Sequence, residues 1–271
     1  MLRDIELQNL AKKLRKRIIK VSHKAKIPHL GSCLSCIDIL VYLYWCVLKI
    51  NPDDPNNEDR DRFLLSKGHG APALFQVLAE KGFFSIKDLN EFGKQGSVFH
   101  EHPPVPGYIN GVEAATGSLG HGLSMGLGMA ISAKIQGKDF KTVVLLSDGE
   151  CNEGSIWEAA LLAPSLKVDN LIAIIDYNKW QATGRSKEIM ALEPLSSKWE
   201  CFGWDCQEIN GHDFFEIENA FKRIKSSPNQ PHMIIAHTIK GKGISFMEDN
   251  NNWHYRTPNK EELEKALKEI E

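Results

Sequence analysis

Asp148-Gly149 and Asn178 form the pair of positions in this chain best suited to hold a hard cation. Each follows a short apolar run, and the two lie about the length of one strand–helix–strand unit apart. If the runs are neighbouring parallel strands, the Asp and Asn oxygens converge on one spot. A charged and a neutral oxygen suit Mg²⁺ or Ca²⁺, and Mg²⁺ takes the rest of its shell from water and phosphate. Gly149 lets a diphosphate approach the backbone closely, and the helix expected beyond Gly154 offers N–H donors and a favourable dipole. The second feature is histidine placement. His29, His69, His102, His121 and His254 all fall in Gly- or Pro-containing loop segments, as does Lys67. Neutral imidazoles gathered in one pocket can hydrogen-bond hydroxyls and move protons near neutral pH.

The elements that must position these residues are legible in outline. Apolar runs at 142–146, 171–175 and 233–236 have the length of strands buried on both faces, and 62–66 reads as a shorter one. Helical patterns lie between them, at 156–162 and 212–224. This predicts an α/β fold, a parallel sheet with helices on both faces, in one domain over 1–271. Leu7, Leu10, Leu14, Ile18 and Val21 make the stripe of a first helix, whose basic residues Lys12, Lys13, Arg15, Lys16 and Arg17 read as a solvated face. A second helix is expected over 34–48, and a third after 72. Thr257 and Pro258 read as the start of a last helix, with Leu263, Ala266, Leu267 and Ile270 on its buried face. Residues 93–120, rich in Gly and Pro, predict a long irregular excursion of the kind that serves function.

Composition narrows the partners. In 271 residues Lys plus Arg number 33 and Asp plus Glu 35, so there is no electrostatic footprint for nucleic acid or an anionic membrane. The start of the chain lacks the apolar core and cleavage site of a signal peptide, which predicts a cytoplasmic protein. Cys33 and Cys36 form a lone C-x-x-C without the second pair a zinc site needs, and the six cysteines read as inert thiols.

The segment from Ser147 to Gly184, SDGECNEGSIWEAALLAPSLKVDNLIAIIDYNKWQATG, closely resembles the thiamine-diphosphate signature of transketolases. PHLGS, RFLLSKGHG, HEHPP, GVEAATGSLGHGLSMGLGMA and KGKGISFMEDNNNWH resemble the same family in the same order, over about residues 20–258. The resemblance implies a thiamine-diphosphate-binding fold of the pyrophosphate type. It implies Asp148, Asn178 and the carbonyl of Trp180 as ligands of Mg²⁺ or Ca²⁺. Gly149 and Glu150 would lie against the diphosphate, with Gly117 and Leu119 near the cofactor. His29, His69, His102 and His254 would face the reacting carbon and the sugar's first hydroxyls. Lys67, His121, Gln181 and Lys240 would line the same cavity or the cofactor's phosphates, and Glu153 would sit near a subunit contact. The sequence departs from the family at His121, where Gln is common, and at Ser147, where Gly is.

In that family a glutamate from a second α/β domain pairs with the cofactor's pyrimidine. The chain matches only the diphosphate half, so it is expected to be the N-terminal subunit of a split transketolase. A C-terminal subunit would supply the pyrimidine half in an α2β2 assembly acting on sugar phosphates. Two alternatives stay open: a subunit of another thiamine-diphosphate enzyme, either 1-deoxyxylulose-phosphate synthase-like or 2-oxo-acid decarboxylating, and a non-catalytic phosphate-binding homologue.

Overall fold

A computed structural model describes residues 3–224 and 229–270. In chain order it contains α1 (Asp4–Ala25), α2 (Leu30–Ser35), α3 (Ile37–Tyr42), β1 (Arg62–Leu65), α4 (Ala71–Lys81), α5 (Gly122–Ile135), β2 (Thr142–Ser147), α6 (Gly154–Ser165), β3 (Leu171–Tyr177), α7 (Ser186–Ile189), α8 (Leu195–Phe202), β4 (Asp205–Asn210), α9 (Phe214–Ile224), β5 (His232–His237) and α10 (Lys260–Glu269). The five strands form one parallel sheet in the order β1-β2-β3-β5-β4.

The sheet is covered on both faces, as apolar runs without alternation demand. Val143 and Leu145 of β2, with Ile172 and Ile174 of β3, point into a core shared with α1, α3, α4 and α9. Their neighbours Val144, Leu146, Ala173 and Ile175 point the other way, onto α5, α6 and α8. Residues 93–120 carry no helix or strand, in keeping with their Gly and Pro content. The excursion is anchored by Phe99, whose ring packs edge-on to Phe75 at 5.5 Å.

Four expectations are corrected. β4 is not among the expected strands: DCQEIN has no apolar run because an edge strand tolerates polar residues on both faces. The expected 34–48 helix is broken at Cys36 and ends in a π-helical turn over Leu43–Val47. The last helix is capped by Asn259, whose side chain accepts from the Glu262 N–H in a capping box, rather than by Thr257. The basic face of α1 is not wholly solvated. Arg15 is buried, and its guanidinium grips Asp38 with two hydrogen bonds of 2.9 and 2.6 Å. His212 Nε2 accepts from the Ile239 N–H, so its Nδ1 carries the proton donated to Asp38 at 2.7 Å. That chain ties α1, α3 and the segment after β5 together. Among the described residues no helix is long and apolar enough to cross a membrane.

Candidate active site

Parallel strands present their carboxyl ends on one edge, and ligands of such sheets sit there. The register pairs Ser147 with Asp176 and Tyr177 with His237. Asp148, Asn178 and Thr238 therefore leave three adjacent strands side by side. Asp148 is fully buried. Its Oδ1 accepts from the Gly149 N–H at 2.9 Å and its Oδ2 from the Ser186 hydroxyl at 2.8 Å. Burial pushes its carboxyl up to about 6, against the pull of the Ser186 hydrogen bond. A cation or other positive partner placed there would relieve that cost.

Asn178 is set from below. Its Nδ2 donates to Asp176 Oδ2 at 3.4 Å, and its Oδ1 accepts from the Trp180 N–H at 3.1 Å. Asp176 also accepts from Ser35 Oγ at 2.6 Å, from the Thr238 hydroxyl and from the Lys67 ammonium. Burial alone would raise the Asp176 carboxyl, but Lys67 and these donors hold it below the ordinary carboxylate value. Lys67 is itself fully buried and donates a second bond to the Ser32 carbonyl at 2.9 Å. Its role here is to neutralise Asp176 beneath the site.

Glu150 is likewise committed to its own chain. It accepts from the Gly120 N–H at 2.9 Å, the Ser147 N–H at 3.2 Å and the Ser66 hydroxyl. One carboxylate thus ties together the end of β1, the end of β2 and the approach to α5. Gly149 lies under Gln181, where a Cβ would come within 2.8 Å of Gln181 Cγ. Gly68 lies on the backbone of Thr116 and Gly117, at 2.5 Å from the Thr116 carbonyl for the same added atom. The approach at Gly68 is to backbone and requires glycine, bringing residues 66–70 and 116–120 together, while the one at Gly149 seats Gln181 over residues 148–150.

The other end of the site is aromatic. His29 has a ring 5.4 Å from His69, 6.2 Å from His102 and 4.8 Å from His254. His69 and His254 are 5.9 Å apart. His29 adopts a left-handed backbone (φ 64°) that lets its N–H reach the His254 carbonyl at 2.7 Å. Gly117 packs against His102. Lys240 donates from Nζ to Asn251 Oδ1 at 2.8 Å and to His254 Nδ1 at 3.0 Å, so the neutral His254 carries its proton on Nε2. Burial and then Lys240 push His254 down to about 3. Burial, then His102 and Lys240, push His29 down to about 4. His69 is lowered as well, by burial and Lys67, and Lys240 falls to about 8 through burial and Lys67. At neutral pH His29, His69 and His254 are uncharged imidazoles, each with one nitrogen that donates and one that accepts.

The structure thus gathers His29, His69, His102, His254, Gly117 and Lys240 at one end, and Asp148, Asn178, Gly149, Trp180 and Gln181 at the other. His121 is the exposed residue preceding α5, between Gly120 and Gly122, whose N–H groups donate to Glu150 and Ser66, and Leu119 is partly buried. Sequence reasoning missed Ser186, which lies 38 residues from the carboxylate it holds and carries no motif. It also missed Asn251, and Tyr255, whose ring meets His254 edge-on at 4.8 Å. Cys33 and Cys36 are buried, and burial pushes their thiols up to about 12 and about 11, so both are protonated.

Two buried polar atoms of this site have no hydrogen-bond partner: Gln181 Nε2 and His29 Nδ1. Orphaned groups are uncommon in protein interiors and call for an explanation. Gln181 Nε2 is a donor near Gly149, where a diphosphate oxygen could meet it, and His29 Nδ1 lies among the imidazoles. The donor set fits a phosphorylated cofactor with a hard cation.

Comparison with known proteins agrees with this geometry. The family model for the transketolase thiamine diphosphate-binding domain matches residues 7–270. The chain is 44% identical over 266 residues to one chain of the apulose-4-phosphate transketolase of Phocaeicola vulgatus, itself named as a subunit, covering 98% of this chain and 93% of that one. It is 40% identical over 268 residues to a 6-deoxy-6-sulfo-D-fructose transketolase subunit of Clostridium sp., covering 99% and 97%. The solved transketolase of Campylobacter jejuni superposes with a TM-score of 0.93 at 32% identity, over 99% of this chain but only 43% of the other. The chain therefore belongs to the transketolase family and corresponds to its thiamine diphosphate-binding domain.

Proposed function

We propose that this chain is the N-terminal subunit of a two-chain transketolase. The enzyme would move a two-carbon ketol unit from a ketose phosphate to an aldose phosphate. The observation that carries this reading is the pairing of two sets of residues on one sheet edge: Asp148 and Asn178 on adjacent strand ends, and the uncharged imidazoles of His29, His69 and His254 beside them.

Asp148, Asn178 and the Trp180 carbonyl would hold Mg²⁺ or Ca²⁺, and the cation would hold the diphosphate of thiamine diphosphate. Gly149 leaves room for Gln181 to lie over it, and Gln181 would donate to the phosphate oxygens. Glu150 would act through the backbone of Gly120 and Ser147, which it fixes. When bound, thiamine diphosphate supplies the electron sink for cleaving and forming the carbon–carbon bond. The chain's own part is to orient the sugar and move its protons. His29, His69 and His102 would hydrogen-bond the hydroxyls nearest the reacting carbon. His254 would work from Nε2, because Lys240 holds its Nδ1 as an acceptor.

The chain spans less than half of the solved transketolase it superposes on. Relatives of its own length are named as subunits. Both facts support a partner chain, which would supply the pyrimidine half; the two-fold α2β2 assembly is part of the proposal. The relatives named for apulose-4-phosphate and 6-deoxy-6-sulfo-D-fructose support a specialised ketose as readily as a common pentose phosphate. All six cysteines are free, which suits a reducing cytoplasm.

The test is to assay ketol transfer by the purified chain alone and with its partner, in thiamine diphosphate and Mg²⁺. Transfer should require both chains. Full turnover by the lone chain would overturn the split site, and carbon dioxide release from a 2-oxo acid would overturn the ketose chemistry.

A further inference from the structure

The two ends of the site are carried by separate loops. Residues 178–185, after β3, hold Asn178, Trp180 and Gln181. Residues 238–254, after β5, hold Lys240, Asn251 and His254. Neither loop contains a strand or an α-helix of its own apart from one short 3₁₀ turn at Asn251–His254. The function proposed above needs both loops held in register.

One exposed carboxylate bridges them. Asp249 Oδ1 accepts from Trp180 Nε1 at 2.8 Å and from Arg185 Nη1 at 2.6 Å, and its Oδ2 accepts from Arg185 Nη2 at 2.6 Å. The Arg185 guanidinium lies 3.8 Å over the Trp180 ring, so the three side chains form a closed stack. Asp249 is aimed there by its own backbone. It adopts a left-handed φ of 54°, and its N–H donates to the Lys240 carbonyl at 2.9 Å. On the other loop, Trp180 and Arg185 face each other as an isolated antiparallel bridge, and Ser186, next to Arg185, holds Asp148. A second link, from Asn251 Nδ2 to the Ala182 carbonyl at 3.1 Å, leads back to Lys240 and His254.

We propose that Asp249 is a positioning residue that straps the loop carrying the cation and diphosphate ligands to the loop carrying Lys240 and His254. The inference rests on the function proposed above and adds a residue outside the ligands assigned there to cofactor and sugar. A non-glycine residue at positive φ is uncommon and suggests a local constraint. A bidentate Arg–carboxylate pair stacked on an indole is also the geometry in which a surface ion pair has most effect. Solvent-exposed pairs contribute little to global stability. The strap should therefore show in local order and cofactor binding, not in the melting temperature.

The experiment compares wild type, Asp249→Ala, Asp249→Asn and Arg185→Ala. The chain alone is digested with a low-specificity protease, reading the rate of cleavage within 178–190. The same variants, paired with the partner chain, are titrated with thiamine diphosphate and Mg²⁺ by calorimetry, and kcat is measured at saturating cofactor. Asp249→Ala should speed cleavage in that window about ten-fold and weaken cofactor binding by a similar factor. Its kcat at saturation should fall less than three-fold, with an unchanged melting temperature. Asp249→Asn keeps the Trp180 acceptor and should fall between Asp249→Ala and wild type. Equal cleavage and equal affinity in Asp249→Ala would overturn the strap, as would a loss that merely follows a lowered melting temperature. If the wild-type pair binds no thiamine diphosphate, the functional reading fails, and the protease arm alone then decides whether the strap exists.

Discussion

At the Asp148 end of the site, both oxygens of Asp148 and both polar atoms of Asn178 are held by hydrogen bonds to neighbouring protein groups. At the histidine end, rings lie edge-on or tilted against rings, and His29 Nδ1 has no partner at all. The first end is built by sheet register and short local bonds, so its geometry is set before any ligand arrives. The second is set by packing between four chain segments, and although Lys240 holds His254 Nδ1, a nitrogen such as His29 Nδ1 is left uncommitted. Preorganised binding and uncommitted proton carriers are different requirements, and here one sheet edge meets both.

The largest effect that would break this contrast is expected from Asp148→Ala. It should abolish the rise in melting temperature that thiamine diphosphate and Mg²⁺ give the wild type, since that rise reports binding to the folded state. Transfer activity should fall by about 10³-fold or more as the cation loses its charged ligand. Undiminished stabilisation in a calorimetric scan would show that the carboxylate is not a ligand. Next in size is His254→Ala, for which kcat should drop about 10²-fold, as for loss of a proton-transferring group. Cofactor affinity should stay within a few-fold of wild type, and a large affinity loss would mean that the two ends are not separable in function. Ser186→Ala removes one hydrogen bond to a buried carboxylate and should weaken cofactor binding roughly five- to ten-fold, in line with about 1–1.5 kcal/mol for such a bond.

The smallest effect concerns pH. His29 and His254 are held at about 4 and about 3 in the folded chain, below their ordinary 6.5. The unfolded chain takes up protons as the pH falls below 6.5, while the folded chain refuses them until lower pH. Their contribution to stability is thus complete above 6.5 and is lost as the pH drops, through about 4 for His29 and about 3 for His254, on the order of a few kcal/mol in all once the partial exposure of both rings is discounted. Calorimetry of wild type and His254→Gln between pH 7 and 4.5 checks this. The variant should lose less stability over that range, and equal slopes would place the titrating groups elsewhere.

Much of this arrangement is legible in residue types and order. Strands buried on both faces announce themselves as β2, β3 and β5 because nothing polar interrupts them. β4 stays hidden because an edge strand can carry Gln207 and Glu208 without cost. The spacing of Asp148 and Asn178 anticipates their shared edge, since a parallel crossover has a nearly fixed length. Lys67 shows where such reading stops. A lysine beside Gly68-His69-Gly70 suggests a pocket cation, and only the three-dimensional structure reveals a buried aspartate 109 residues away that claims it. Arg15 is the same lesson on α1, where Asp38 turns a residue of a basic run into a core ion pair. Partners distant in sequence leave no periodic trace, and neither do single hydrogen bonds such as that of Ser186.

The Glu150 carboxylate has a practical consequence for anyone wishing to change the sugar this chain handles. Because it knots Ser66, Ser147 and Gly120 from three separate stretches of chain, randomising residues 147–150 would scatter the scaffold before it sampled a new substrate. Variation is better spent at Tyr255, an exposed side chain that borders His29 and His254 without anchoring the strand ends.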